Sequence, residues 1–205
     1  MTSRFVFVCC FLSSLLAASA TGQAPGPATT QRIRGDVVAL DGFNLQMKSR
    51  TGEFLTVKLA ENYTVTAVTK ITIDRIVPGT YVGAASMPQA DGTQKALEVL
   101  LFPEARRGSG EGHYAWDLQP GSMMTNATVS DVVVVDKNHR MTLKYKDGEK
   151  VVVVPPDAPL VTFEPGDRAM LKPGAHVIVN ATRQPDGILT AGGVAVGKDG
   201  LVPPM

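Results

Sequence analysis

The sequence predicts an all-β protein: two tandem OB-like five-stranded barrels, each with a short helix between its third and fourth strands. Two observations carry this. Short runs of alternating apolar and polar residues recur along the chain, separated by Gly, Pro and Asp-Gly turns. The chain also repeats itself. Residues 35–59 match residues 130–154, ranges offset by 95, and within them Leu45 lies against Met141, Gly52 against Gly148 and Val57 against Val153, each of these pairs 96 residues apart. Residues 78–92 match 173–187 at an offset of 95, so one deletion reconciles the two halves. A duplication explains this better than two coincident patterns.

The elements follow in order. A first strand, Asp36–Leu40, ends at Asp41-Gly42. A second, Asn44–Arg50, alternates Leu45, Met47 and Ser49 against polar neighbours, the period of a half-buried strand. Thr51-Gly52 closes a tight hairpin, and Asp147-Gly148 does so in the second half with a favoured turn pair. A third strand begins at Phe54 and carries the Thr and Val that suit a pleated surface. Ile71–Ile76 reads as a short helical turn ending at Pro78-Gly79, and its partner is Arg168–Leu171 before Pro173-Gly174. Tyr81–Ser86, an Asp91-Gly92 turn and Leu97–Phe102 make a closing hairpin. Three strands, a short helix and two strands is the order of the OB-fold, a small Greek-key barrel.

The organisation predicted is a signal peptide at 1–20, a flexible leader at 21–31, one barrel at 32–104, a connector at 105–126, a second barrel at 127–198 and a tail at 199–205. Arg4 supplies a basic n-region, Phe5–Ala17 an apolar core too short for a comfortable span, and Ala18-Ser19-Ala20 a small-x-small cleavage pattern. Cleavage is expected after Ala20 or Ala24. Both cysteines, Cys9 and Cys10, lie in that leader, which leaves the mature chain without thiol chemistry. A cysteine-free exported protein suits a bacterial periplasm.

Removing Arg4 leaves 19 basic and 19 acidic residues, spread evenly over both halves. Without a basic stripe, nucleic acid and anionic membrane are not expected partners. No later segment is apolar for long enough to span a bilayer.

The chemistry gathers in one place. "EGHYAWDLQPGSMMTN", residues 111–126, holds the only Trp, one of three His and two adjacent Met. It belongs to neither repeat, and loops on rigid scaffolds are where sites tend to lie. His113 and Trp116, with Arg106 and Arg107 upstream, are the candidate ligand-binding residues; the two arginines suit a carboxylate or phosphate. His113, Met123 and Met124 are the candidate metal ligands, because soft donors in a thiol-free chain favour Cu(I) or Ag(I). The alternative is packing: Trp116 and Tyr114 plug the groove between barrels, and the Met pair fills gaps. His113, Asp117 and Ser122 contain the residue types of a triad, but Ser122 lacks the Gly-x-Ser-x-Gly elbow.

The repeated "V-x-x-x-D-G-x-x-L-x-(V/M)", "(I/L)-x-P-G-x-x-V" and "x-x-D-G-x-x-x-A" resemble an uncharacterised OB-like domain family of bacterial exported proteins, here in tandem. The whole mature chain is similar to a group that genomes often label "metal ABC transporter permease", a label at odds with the absence of membrane spans. The resemblance implies fold and compartment and brings no catalytic residues. The connector's residue set is also similar to that of a small periplasmic copper/silver chaperone family, where one His, two Met and a Trp sit on strands of an OB barrel. The function expected is therefore a non-enzymatic periplasmic protein that binds a small ligand or soft metal at the connector. The alternative is an envelope adaptor that contacts protein or glycan.

Overall fold

The computed structural model describes residues 28–135 and 137–204, so the expected signal peptide and most of the expected leader lie outside the described residues. The chain is all-β. The first half contributes β1 (Thr29–Asp41), β2 (Asn44–Ser49), β3 (Phe54–Lys70), β4 (Tyr81–Pro88) and β5 (Gln94–Leu101). A short β6 (Gly112–Ala115) follows. The second half contributes β7 (Met123–Val135), β8 (Asn138–Tyr145), β9 (Gly148–Val154), β10 (Leu160–Pro165), β11 (His176–Arg183) and β12 (Leu189–Gly197). No described helix is long and apolar enough to cross a membrane.

The alternation seen in the sequence is real. Leu45 and Met47 are both fully buried on β2, and Met141 and Leu143 match them on β8. Burying each such side chain contributes roughly 1.5–3 kcal/mol. The expected short helices are instead 3-10 turns of three residues, Ile73–Arg75 and Arg168–Met170. The Asp167 carboxylate accepts from the Ala169 amide at 2.7 Å and starts the second of these.

The strands distribute differently from the expected halves. β1, β2 and β3 form an antiparallel meander. β3 then pairs in parallel with β12, β12 antiparallel with β11, and β11 antiparallel with β1. This closed five-stranded barrel takes three strands from the first half and its closing hairpin from the second. The complementary set is β7, β8 and β9, with β4 on β7 and β5 on β4. A short parallel contact, Gln94 to Val152 and Lys95 to Val153, completes that second ring. The division into 32–104 and 127–198 therefore does not follow the rings.

The course of β3 accompanies the exchange. Its 17 residues pair with β2 at Phe54–Lys58 and with β12 from Val57 to Val68, with an irregularity between Leu59 and Thr64, and its end, Thr66–Lys70, lies against β10. The strand thus carries the chain along the first ring to β10, and β4 and β5 follow in the other ring. The second half does the same with a break: Pro155 and Pro156 end β9, and β10 resumes the path. β3 and β10 meet antiparallel, Ala67 opposite Glu164 and Val68 opposite Phe163. In the repeat, Ala67 corresponds to Phe163 and Val68 to Glu164, so this pair is centred on itself, as at a two-fold axis.

Each ring holds its own core. Ile33, Leu45, Met47, Val57, Val179 and Val196 cluster in the first. Val82, Val99, Val129, Met141, Leu143 and Val152 cluster in the second. A smaller group, Val68, Leu100, Val161 and Ile178, sits where the rings meet.

Candidate functional site: the cleft between the rings

The connector is more regular than its sequence implies. β6 pairs antiparallel with Met123–Asn126 of β7, so His113, Met123 and Met124 lie on strands rather than in a loop. Ser122 fixes the intervening turn. Its hydroxyl lies 3.0 Å from the Trp116 carbonyl and 2.7 Å from the Gln119 carbonyl, and accepts from the Gln119 amide at 3.2 Å. The turn presents Asp117 and Trp116 to the first ring. Asp117 accepts from Arg32 at 2.7 Å and from Arg34 at 2.8 Å, both on β1. The Arg32 guanidinium lies 3.9 Å above the Trp116 ring. Burial works to raise the Asp117 carboxyl, but hydrogen bonds and charge from Arg34 and Arg32 outweigh it and hold it below the usual carboxylate range. The connector is thus hydrogen-bonded to the second ring by β6 and ion-paired to the first by Asp117.

Under this strap lies a cleft of about 630 Å³. The first ring supplies Thr64, Ile178, Asn180 and Gly193 to one wall; the second supplies Gly83, Leu100, Met124 and Asn126 to the other. Phe102, just after β5, adds to the lining, the connector adds Arg106, Tyr114 and Trp116, and β10 adds Phe163. Asn126 anchors the roof. Its amide donates to the Tyr114 hydroxyl at 3.0 Å and to the Ser109 carbonyl at 3.2 Å, and Tyr114 in turn donates to the Gly110 carbonyl at 3.2 Å. Gly83 makes room for this: a Cβ there would lie 2.5 Å from Asn126 Oδ1.

Two buried groups near the seam stand out. Trp116 Nε1 has no hydrogen-bond partner among the described residues. Glu98 on β5 is fully buried, and neither carboxylate oxygen has a hydrogen-bond partner among the described residues. Burial pushes its carboxyl up to about 8, against the opposing charge of Arg34, Arg32 and Arg50. Burial thus favours the neutral form of this side chain.

The residues singled out from the sequence divide. Trp116, Arg106 and Met124 line the cleft. Arg107 turns away, pairing with Glu104 at 2.5 Å and donating to the Gly79 carbonyl at 2.8 Å. His113 places Nδ1 2.8 Å from Thr125 Oγ1 and stacks near Tyr145, and burial, then Lys150, pushes its pKa down. Strand alternation sends Met124 to the face opposite Met123 and His113, so the expected soft-metal trio does not converge. The triad types also separate: Ser122 serves the turn, Asp117 the arginines and His113 Thr125.

Sequence reasoning missed Arg32, Asn126 and Glu98. Two signals were present. Arg32 and Arg34 alternate on one strand face. Gly192-Gly193 inside a strand marks close approach or open space. Comparison with protein-family models, with curated proteins and with solved structures returns no match.

Proposed function

We propose that this chain is a non-enzymatic binding protein of the bacterial periplasm. Its fold is read as two OB-like barrels that have exchanged their closing hairpins, and its cleft takes a small molecule. The observation that carries this is the cavity of about 630 Å³ walled by both rings and roofed by the connector. Small-molecule sites typically occupy about 300–1,000 Å³ and combine apolar and aromatic walls with a few polar groups. Phe102, Phe163 and Trp116 supply the first kind of surface; Thr64, Asn180 and Arg106 supply the second. The dispersal of His113, Asp117 and Ser122 supports a role in binding rather than hydrolysis.

A ligand-observed NMR screen of neutral and charged fragments tests the reading. Hits are expected, and Gly193→Val should remove them, because a Cβ at 193 already stands 3.0 Å from Thr64 Oγ1. An empty screen, or hits that persist in the folded valine variant, would discard the cleft as a site. A second reading, an envelope adaptor, draws support from Val133, Val134 and Val135, all exposed near the β7–β8 turn.

A further inference from the structure

We infer that the cleft's ligand is a ring-bearing carboxylate, an aromatic or sugar acid; this rests on the binding reading above. The first argument is charge. Among the residues that line the cleft, Arg32 and Arg106 are the only charged ones, and no Asp or Glu lines it. Arg32 is already committed, giving Nη1 to Asp117 and its flat face to Trp116. Arg106 is not. It stands on the 3-10 turn Glu104–Arg106, and the acid on that turn, Glu104, is taken by Arg107 through two hydrogen bonds. Arg106 makes no ion pair with any described residue, and its guanidinium lies 5.0 Å from the centre of the Phe163 ring. Stacking on Phe163 holds the planar fork at the cleft while leaving its edge donors available. That is the geometry in which Arg binds an oxyanion through two parallel bonds.

One uncommitted guanidinium matches one negative charge. A carboxylate satisfies it; a phosphate dianion would leave charge uncompensated in a partly apolar cleft. The walls describe the rest of the molecule. Phe102 packs against Phe163 with ring centres 6.3 Å apart, and Tyr114 against Trp116 at 6.1 Å, which gives the cleft two aromatic pairs. A flat ring matches such surfaces better than a flexible chain, which would lose more conformational freedom on binding. Thr64 and Asn180, both exposed on the opposite wall, can hydrogen-bond ring hydroxyls.

Titration calorimetry on the whole protein tests this with two matched pairs: benzoate against benzamide, and D-glucuronate against D-glucose. At least one acid should bind about tenfold or more tightly than its neutral partner, the scale of a charge-assisted pair. Arg106→Gln, at an exposed turn position, should bring that ratio to about one while leaving the circular dichroism spectrum unchanged. Equal binding within both pairs, or acid binding that survives Arg106→Gln, overturns the assignment and leaves the cleft reading standing. No binding by any of the four also overturns it; the cleft reading itself falls only if the fragment screen is empty too.

Discussion

β5 and β12 hold equivalent places, each closing a ring begun by the other half of the chain, yet they treat the seam in opposite ways. The offset of 95 sets Gly192 and Gly193 where the first half has Leu97 and Glu98. Glu98 is completely buried, an acid whose neutral form burial favours. Gly193 brings no side chain to the same place on its own ring, and the cleft opens there. The core positions on either side stay matched, Ala96 with Ala191 and Val99 with Val194, all buried. The two halves offer similar walls, and the cleft opens where one of them carries Gly193 in place of a side chain while the core positions behind it stay matched.

The exchange of hairpins is the part of this comparison easiest to break, with the largest effect. A fragment of residues 28–104 keeps β1–β3 but loses β11 and β12, leaving Leu45, Met47 and Val57 uncovered. Several such side chains, at roughly 1.5–3 kcal/mol each, outweigh a typical net stability of about 5–15 kcal/mol. The fragment should show no cooperative thermal transition, and mixing with residues 105–205 should restore one. A cooperative melt of the lone, monomeric fragment would mean that each half can close its own ring.

Glu98 offers the next test. Its carboxyl is raised to about 8 in the folded protein, against an unfolded value of about 4.5. The folded state therefore prefers the protonated form. The stability it contributes is fully present below pH about 4.5 and is lost as pH rises through about 8. Glu98→Gln cannot ionise, so the melting-temperature difference, variant minus wild type, should grow between pH 5 and 9. A gain of about 5 °C at pH 9 is the expected scale for a chain of this length. Gly193→Ala, at the matching position, should shift melting equally at both pH values. A flat difference curve for Glu98→Gln would mean that Arg32, Arg34 and Arg50 keep the carboxylate ionised.

These tests bear on what a linear sequence can disclose. The alternation of Leu45 and Met47 follows from local periodicity and stands in the structure, as do the turns at Thr51-Gly52 and Asp91-Gly92; at Asp41-Gly42 and Asp147-Gly148 the loops fall one residue away, at Gly42-Phe43 and Lys146-Asp147. Ring membership does not follow from local periodicity. A repeat says that β5 is equivalent to β12, but both three-strand meanders offer the same kind of edge, so pairing within a half and pairing across halves satisfy the same residues. One such feature is the continuous run of β3 to Lys70, irregular between Leu59 and Thr64, which a reading of single strands does not weigh. The site was half legible. Trp116 and Arg106 stood out as rare or clustered chemistry outside the repeat. Arg32 and Glu98 look like ordinary strand residues until the rings face each other. The Met pair misled for a simpler reason: neighbours in a strand point to opposite faces, which the loop reading of residues 105–126 concealed.

The smallest effect concerns the strap that spans the seam. Asp117 is about half exposed, so its pairs with Arg32 and Arg34 contribute on the order of 0.2–1 kcal/mol each. Asp117→Ala should lower the melting temperature by about 2 °C or less. Its effect on the cleft should be larger than its effect on stability. Without the carboxylate, the stacking of Arg32 on Trp116 remains, and the turn loses its ion pairs to β1. Trp116 is the chain's single tryptophan, so acrylamide quenching of its fluorescence reports on this strap alone. Quenching should rise in Asp117→Ala, and about 1 M salt should move the wild type part of the way toward the variant, since screening reaches exposed pairs first. Unchanged quenching would mean that β6 and the Ser122-held turn position the indole by themselves, with the first ring contributing only a surface to lie against.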